Sequence, residues 1–486
     1  MNRRQFLRCA AGSAGAAVLP LGNALGAAGQ GAERPNILFA ISDDQSWCHT
    51  SFAGDPVVKT PAFDRVAREG VYFPNAFCSS PSCTPSRGAV LTGQDFWRLE
   101  SGACLYGTLG AKFPVYPDLL EAAGYAVGFM RKGWGPGNVE AGGRKRNPAG
   151  NRFRNFGQFL KRVPRDKPFC FWFGSTDPHR GYVEGSGLKS GKKLEDVPLP
   201  PFLADAPEVR SDILDYYLEI ERFDRQLGQM LALLEKRGRL DNTIVVITSD
   251  NGMPFPRCKT SLYDYGVRMP LAIRWPARAK GGRVVQDFVD LTDMAPTFLD
   301  AGGLKPPVEM TGRSLVPVLT SGKAGRVDPL RDKVVVGRER HGWNRDPHVG
   351  YPMRAIRTHR YLYIRNFHPE RRPGFDIDGG PTRSYMFAHR DDPKGRHLHQ
   401  LWFERRPAEE LYDCEKDRFQ IRNLAGQPQY AAVQKKLAAQ LEAHLKKSGD
   451  PRMLGKGDVF DTYRYHGRAS GMRLFKQFHK QESQKR

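Results

Sequence analysis

The chain is poor in cysteine, short of acid relative to base, and without long apolar runs. None of its uninterrupted apolar stretches reaches the roughly 18 residues that a membrane-spanning helix needs, so it carries no integral membrane segment. Eight cysteines in 486 residues, none in a Cys-x-x-Cys pair, leave room for one disulfide but exclude a fold built on disulfides. No internal repeat is visible. With 52 Asp+Glu against 75 Lys+Arg, the formal charge is +23. That surplus points to an anionic partner and leaves nucleic acid, an acidic membrane surface and an acidic substrate open. A chain that is 40% hydrophobic and 11% aromatic, with 51 Gly and 36 Pro, buries a sizeable core and still runs long loops. This composition excludes disorder, a coiled coil and a collagen-like rod, and the length suggests two to four domains or one large α/β domain with an appendage.

The two ends read differently from the middle. Arg3-Arg4-Gln5-Phe6-Leu7, the weakly apolar stretch Cys9 to Leu21, and the small residues Ala24-Leu25-Gly26-Ala27 have the order of a twin-arginine signal peptide. Residues 1–26 are therefore expected to direct export to the periplasm or beyond. At the other end, residues 451–486 form a basic tail. From Arg452 onward it holds nine Lys+Arg and three Asp+Glu among aromatic residues, and is expected to pack back on the body with its basic face in solvent.

Between the ends, short apolar runs end in polar clusters. Asn36–Ile41 leads into Ser42-Asp43-Asp44, Phe169–Phe173 into Asp177-Pro178-His179, and Thr243–Thr248 into Ser249-Asp250-Asn251-Gly252. Tyr125–Met130 is a further strand, and the apolar residues of Asp212 to Arg237 recur at steps of three and four, as in an amphipathic helix. Strands alternating with helices describe an α/β sheet with its site at the strand ends. The large domain is placed at 34–350. A smaller α+β domain is placed at 351–450, with a hairpin over 355–364 and a helix from about Ala431 to Lys446.

Two constellations carry chemistry. Asp43-Asp44 and Asp250-Asn251 each follow a strand, and three carboxylates with a carboxamide form an oxygen-only set that suits Ca²⁺ or Mg²⁺ better than zinc. Cys83-Thr84-Pro85-Ser86-Arg87 places a cysteine where a helix begins, with free N–H groups and a cation nearby. On the residues alone Cys83 is a nucleophile, a partner for Cys78, or simply buried.

This second segment, with Thr92-Gly93 after it, resembles the signature of the type I sulfatases, and the likeness extends over roughly Pro35 to Asp450. The resemblance implies an α/β fold of the alkaline-phosphatase-like kind: a large mixed-sheet domain flanked by helices, plus a smaller C-terminal α+β domain with an antiparallel sheet. It implies oxidation of Cys83 to formylglycine (3-oxoalanine) by a formylglycine-generating enzyme that reads Cys83, Pro85 and Arg87. One hydroxyl of the hydrated aldehyde attacks sulfur, and the second expels sulfate. By the same resemblance Asp43, Asp44, Asp250, Asn251 and modified Cys83 hold Ca²⁺, with Mg²⁺ as the alternative. Arg87 holds the formylglycine hydroxyl, Lys132 and Lys259 grip the sulfate, and His179 serves the leaving group.

One departure stands out. The family pattern is Gly-Lys-x-His, whereas here Arg131-Lys132-Gly133-Trp134 puts Trp134 where the histidine is expected, and His49 is the candidate auxiliary base. Asp177-Pro178-His179-Arg180, the run Ser249–Pro256, Thr311–Leu315 and Tyr351-Pro352-Met353-Arg354 resemble the heparan N-sulfatase branch. Glu339, His341 and Arg354 are expected in the substrate pocket by that analogy, and the basic loop Gly142–Arg146 is either a glycan contact or a solvated loop. The expected function is hydrolysis of sulfate esters or sulfamates on sulfated carbohydrate, with no nucleic-acid partner. The alternatives are a phosphonate or phosphodiester hydrolase using the same modified residue, and a glycan-binding homologue with impaired turnover.

Overall fold

Four strands make the centre of the molecule: β1 (Asn36–Ser42), β2 (Ala126–Arg131), β3 (Phe169–Gly174) and β4 (Thr243–Ser249). In this computed structural model, which describes residues 34–468 and 472–485, they lie parallel in the order β4-β1-β3-β2. The expected signal segment lies outside the described residues. Short strands extend the sheet to eight, and Ala272–Arg274 runs antiparallel beside β4, so the sheet is mixed. β1 explains why such strands read as unbroken apolar runs. Ile37, Phe39 and Ile41 face one buried cluster, while Leu38 and Ala40 face another. Both faces are covered, so no position alternates to polar.

Two helices matter to the site. α1 (Cys83–Thr92) is buried along its whole length, and α2 (Pro207–Lys236) sends Phe223, Leu227, Met230, Leu231 and Leu234 into the cluster behind β1 and β3. The expected amphipathic helix is there, starting one turn earlier at a proline that suits the first helical turn.

A second, four-stranded antiparallel sheet is formed by β5 (Lys333–Arg338), β6 (Met353–Thr358), β7 (Tyr361–Asn366) and β8 (Glu409–Asp413) in chain order. α3 (Ala431–Lys447) lays Leu437, Leu441 and Leu445 against Val335, Ile356, Tyr363 and Leu411 of this sheet. The sheet begins at Lys333, inside the stretch 34–350 that the sequence assigned to the large domain. The run Val334-Val335-Val336 carries no alternation, and nothing local distinguishes it from the parallel strands. The basic tail does return to the body. Phe460 packs in the α3 cluster, and Phe478 of the helix Met472–Lys485 packs against Phe375 and Phe403. All seven cysteines from Cys48 to Cys414 are free thiols, and no helix among the described residues is long and apolar enough to cross a membrane.

Candidate active site

Strand register brings the first constellation together. Ser42 of β1 lies opposite Ser249 of β4, so Asp43-Asp44 and Asp250-Asn251 leave the sheet side by side at its carboxyl edge, where α/β sheets place their sites. The Asp44 N–H donates to Asp250 Oδ1 at 3.1 Å, and Asn251 Nδ2 donates to Asp44 Oδ1 at 2.6 Å. All four residues are buried. Burial pushes the Asp250 carboxyl up despite neighbouring Arg87. For Asp43 burial acts the same way, but Lys132 and then Arg87 outweigh it and hold the carboxyl well below the usual range.

Cys83 is the first residue of α1. Ser82 before it is extended, and Pro85 falls in the first turn, where a missing N–H costs no helical hydrogen bond. The helix therefore starts at Cys83 and aims its side chain at the strand ends, with Sγ 3.5 Å from Asp43 Oδ1 and 3.9 Å from Asp44 Oδ1. Burial, partly opposed by Lys132 and Lys259, pushes the thiol well above its ordinary range, so it stays protonated. One turn on, Arg87 is fully buried. Its Nε donates to Asp250 Oδ2 at 2.7 Å and its Nη1 to the carbonyls of Lys132 and Gly133, which leaves Nη2 without a hydrogen-bond partner.

Two lysines face each other across this cluster. Lys132 follows β2, and its Nζ donates to both oxygens of Asp43, at 2.6 and 2.7 Å. Lys259 Nζ donates to Asp44 Oδ2 and to Asp378 Oδ2, each at 2.8 Å. Burial works against both charges, but the carboxylates outweigh it and keep both lysines protonated. His179 Nδ1 sits 3.1 Å from the carbonyl of Arg180, which can only accept, so this nitrogen carries a proton and Nε2 points towards Asp44, 3.9 Å away. Cys83, Asp43, Lys132, Trp134, His179, Lys259, His341 and Asp378 line one cavity of about 1200 Å³.

Comparison with known proteins matches this arrangement. The family model described as Sulfatase matches residues 35–304, more than half of the chain. The chain belongs to the sulfatase family. These are sulfuric ester hydrolases of the alkaline-phosphatase-like fold. A second model, "N-sulphoglucosamine sulphohydrolase, C-terminal", matches residues 258–384. The chain is similar to an ulvan-active sulfatase of Formosa agariphila, 30% identical over 86% of this chain and 81% of that one. It is also similar to the N-sulphoglucosamine sulphohydrolase of Homo sapiens, 28% identical over 88% and 93%. Among solved structures, one described as a complex with its substrate D-glucosamine-2-N,6-O-disulfate shares the fold, with a TM-score of 0.64 at 22% identity over 86% and 98%.

Sulfatases use a divalent metal, and the residues of this sulfatase fit one. Asp43, Asp44, Cys83 and Asp250 each offer a ligand atom, all within 4.8 Å of one another. Asn251 Oδ1 is buried with no hydrogen-bond partner, an acceptor that a hard cation would satisfy.

Several expectations need correction. Glu339 and Arg354 are not among the cavity-lining residues. Arg354 Nη2 donates to Glu339 Oε1 at 2.8 Å and its Nε to Asp450 Oδ2 at 2.6 Å, while Arg452 takes the rest of Glu339. They form a closed buried ion network rather than a pocket wall. His49 is buried between Tyr216, Tyr217 and Tyr265, and its Nδ1 is engaged by the Tyr216 hydroxyl at 3.1 Å. Burial lowers its pKa to about 4, and it does not line the cavity, so it does not replace the expected histidine. In the basic loop, Arg144 donates to the carbonyls of Leu109, Gly110 and Phe113, and Arg146 pairs with Asp118 and Glu121. Those two arginines are architecture, while Lys145 between them is exposed. His341 does line the cavity, with Nδ1 2.8 Å from the Ser82 hydroxyl and a pKa lowered by burial and then Lys259 to about 3.

Asp378 was missed by the sequence reading. It holds Lys259, groups with Asp44 and His179, and lines the cavity. Lys259 and then His179 hold its carboxyl below the usual range against the effect of burial. Its only local signal is an acidic pair before Gly379-Gly380 in a loop-rich stretch, a pattern too common to single out.

Proposed function

We propose that this chain is an exported hydrolase that removes sulfate from sulfated glycans, with an N-sulfated glucosamine of heparan type as the leading candidate and sulfate esters as the other class. The observation that carries this reading is Cys83 at the start of α1, within 4 Å of Asp43 and Asp44 and flanked by Lys132 and Lys259. The family models, with an N-sulphoglucosamine sulphohydrolase match over 258–384, support the sulfamate class, and the ulvan-active relative supports the ester class. The signal-like residues 1–26 support Tat export ahead of a catalytic domain that begins near residue 34.

In this reading Cys83 is converted to formylglycine by a formylglycine-generating enzyme, and Asp43, Asp44, Asp250 and Asn251 hold Ca²⁺ beside it. Together the hydrated aldehyde and the metal supply a nucleophilic hydroxyl and a positive charge at the sulfuryl group. The chain's own side chains do the rest. Lys132 and Lys259 leave their carboxylate partners in part to bind sulfate oxygens, and so offset charge as it develops. Arg87, fixed by Asp250 and two carbonyls, has Nη2, which makes no hydrogen bond, to orient the residue-83 hydroxyl. His179 presents Nε2 to the cavity and, with Nδ1–H donating to the Arg180 carbonyl, acts as an acid only as the doubly protonated ring, whose Nε2 proton passes to the leaving oxygen or nitrogen.

Mass spectrometry of the peptide containing Cys83, followed by sulfate release from N-sulfoglucosamine, glucosamine 6-sulfate and ulvan oligosaccharides, tests the proposal. Converted protein that frees sulfate from none of them would leave a glycan-binding homologue. Faster cleavage of a matched phosphonate ester would move the assignment to the phosphonate hydrolases.

A further inference from the structure

The cavity is larger than the site needs. At about 1200 Å³ it exceeds the usual range for a pocket holding one drug-sized ligand, so it has room beyond a single sulfated sugar ring. Its wall beside Lys132 carries Arg131, Arg152 and Arg222 together with Asp177 and Glu219, and Arg222 holds both of those carboxylates.

Arg131 is the residue to explain. It has φ 59°, in the left-handed region that glycine occupies freely and an arginine occupies only under strain. The surrounding hydrogen bonds impose that conformation. The Lys132 N–H donates to Gly174 O at 2.8 Å, while the Lys132 carbonyl accepts from Trp172 Nε1 at 3.0 Å and Arg87 Nη1 at 3.1 Å. A glycine would meet these constraints more cheaply, yet the position carries a side chain that is 38% exposed on the cavity wall. That guanidinium is poorly satisfied. It reaches Thr176 Oγ1 at 3.4 Å and Asp177 Oδ2 only at 3.9 Å, because Arg222 already holds both oxygens of Asp177 at 3.0 and 2.7 Å. Arg152, on the short strand paired with β2, is exposed, and its side chain has no hydrogen bond or ion pair among the described residues.

We propose that Arg131, with Arg152 on the adjoining strand, binds a second anionic group on the glycan, a carboxylate or a second sulfate, while Lys132 holds the sulfate to be released. A guanidinium with free donors is suited to either group, because its fork matches two oxygens at once. The inference rests on the reading of this cavity as the sulfated-sugar site.

The test uses the full chain carrying Cys83→Ala, so that binding is read without turnover. Calorimetry compares an N-sulfated glucosamine disaccharide bearing a uronate carboxylate, the same disaccharide with that carboxylate reduced to an alcohol, and the reduced form with an added 6-O-sulfate. The expected result is binding about tenfold tighter for at least one dianionic probe than for the single-sulfate probe. The probe that gains identifies the carboxylate or the second sulfate as the ligand. Adding Arg131→Gly should abolish that difference and leave the single-sulfate Kd unchanged, with a Tm at or above that of the parent, because glycine suits this φ. Arg131→Asn, which also tolerates the left-handed region, guards against a misfolded glycine variant. Equal Kd values for all three probes, no binding of any, or an equal loss on all of them in Arg131→Gly overturns the proposal. Sulfate release from the same probes by the unmutated chain is scored separately. If none is released while the binding pattern holds, the hydrolase reading fails and Arg131 keeps its role.

Discussion

Two buried charge clusters in this molecule look alike by composition and differ in what surrounds them. In one, Glu339 and Asp450 are matched by Arg354 and Arg452, two carboxylates against two guanidinium groups. In the other, Asp43, Asp44 and Asp250 face Arg87, Lys132 and Lys259. Formal charge balances in the first, whereas in the second Asp378 shares Lys259 and leaves one carboxylate more than there are lysines and arginines. The first cluster is closed, with Glu339 and Arg354 fully buried and hydrogen-bonded to each other. The second opens onto the cavity through Cys83, Lys132 and Lys259 and leaves Asn251 Oδ1 and Arg87 Nη2 without hydrogen-bond partners, the latter only 3.6 Å from Asp43 Oδ1. A functional cluster is recognised here by unused hydrogen-bonding capacity beside open space, and a structural one by complete pairing.

Substitution at Cys83 should separate the clusters most sharply. Cys83→Ala is expected to lower sulfate release by about 10⁴-fold or more with Tm nearly unchanged, since it removes the reacting group and only a small buried side chain. Measurable turnover in that variant would break the assignment of the open cluster. Arg354→Ala should do the reverse. It leaves Glu339 and Asp450 short of a buried partner and is expected to cost about 3–5 kcal/mol in chemical denaturation, while KM of the folded fraction stays as it was. A raised KM at unchanged stability would return Arg354 to the substrate. A third experiment concerns the orphan oxygen. Ca²⁺ at a hundredfold excess over its Kd should stabilise the chain by about 2.7 kcal/mol, and Asn251→Ala should abolish most of that gain in a thermal melt. An equal Ca²⁺ response in both proteins would remove Asn251 from the ligand set.

The same contrast explains what the sequence could reveal. Asp43-Asp44 and Asp250-Asn251 were legible because each directly follows an apolar run, and parallel register then brings them level without further information. Cys83 was legible through Pro85 and Arg87. Glu339 and Arg354 were not, because a carboxylate and a guanidinium have the same letters in a closed network as in a pocket, and Asp450, which completes the pairing, lies 96 residues beyond Arg354. Asp378 was hidden for a related reason. Its partner Lys259 is 119 residues away in the chain, on a loop with no periodicity to read. β5 falls inside the stretch 34–350 placed in the large domain, because burial on both faces erases the alternation that marks an antiparallel strand.

His49 gives the smallest effect and tests the rule from outside both clusters. It is a buried polar residue whose hydrogen bond to Tyr216 is already made, so by the same reasoning it is scaffolding. His49→Phe should leave turnover at neutral pH unchanged, and a loss of activity there would restore it as a base. The substitution should instead appear in the pH dependence of stability. Burial, opposed weakly by Asp55, lowers the folded pKa to about 4, whereas the unfolded value is about 6.5. The unfolded chain therefore binds the extra proton first as pH falls, and stability drops from about pH 6.5 down to about pH 4. This one group should cost about 2 kcal/mol at pH 5 relative to neutral pH, and denaturant midpoints of His49→Phe and the parent should converge by that amount on acidification. Parallel curves would mean that the imidazole takes up its proton within the folded chain, which requires water or an anion to reach a ring enclosed by three tyrosines.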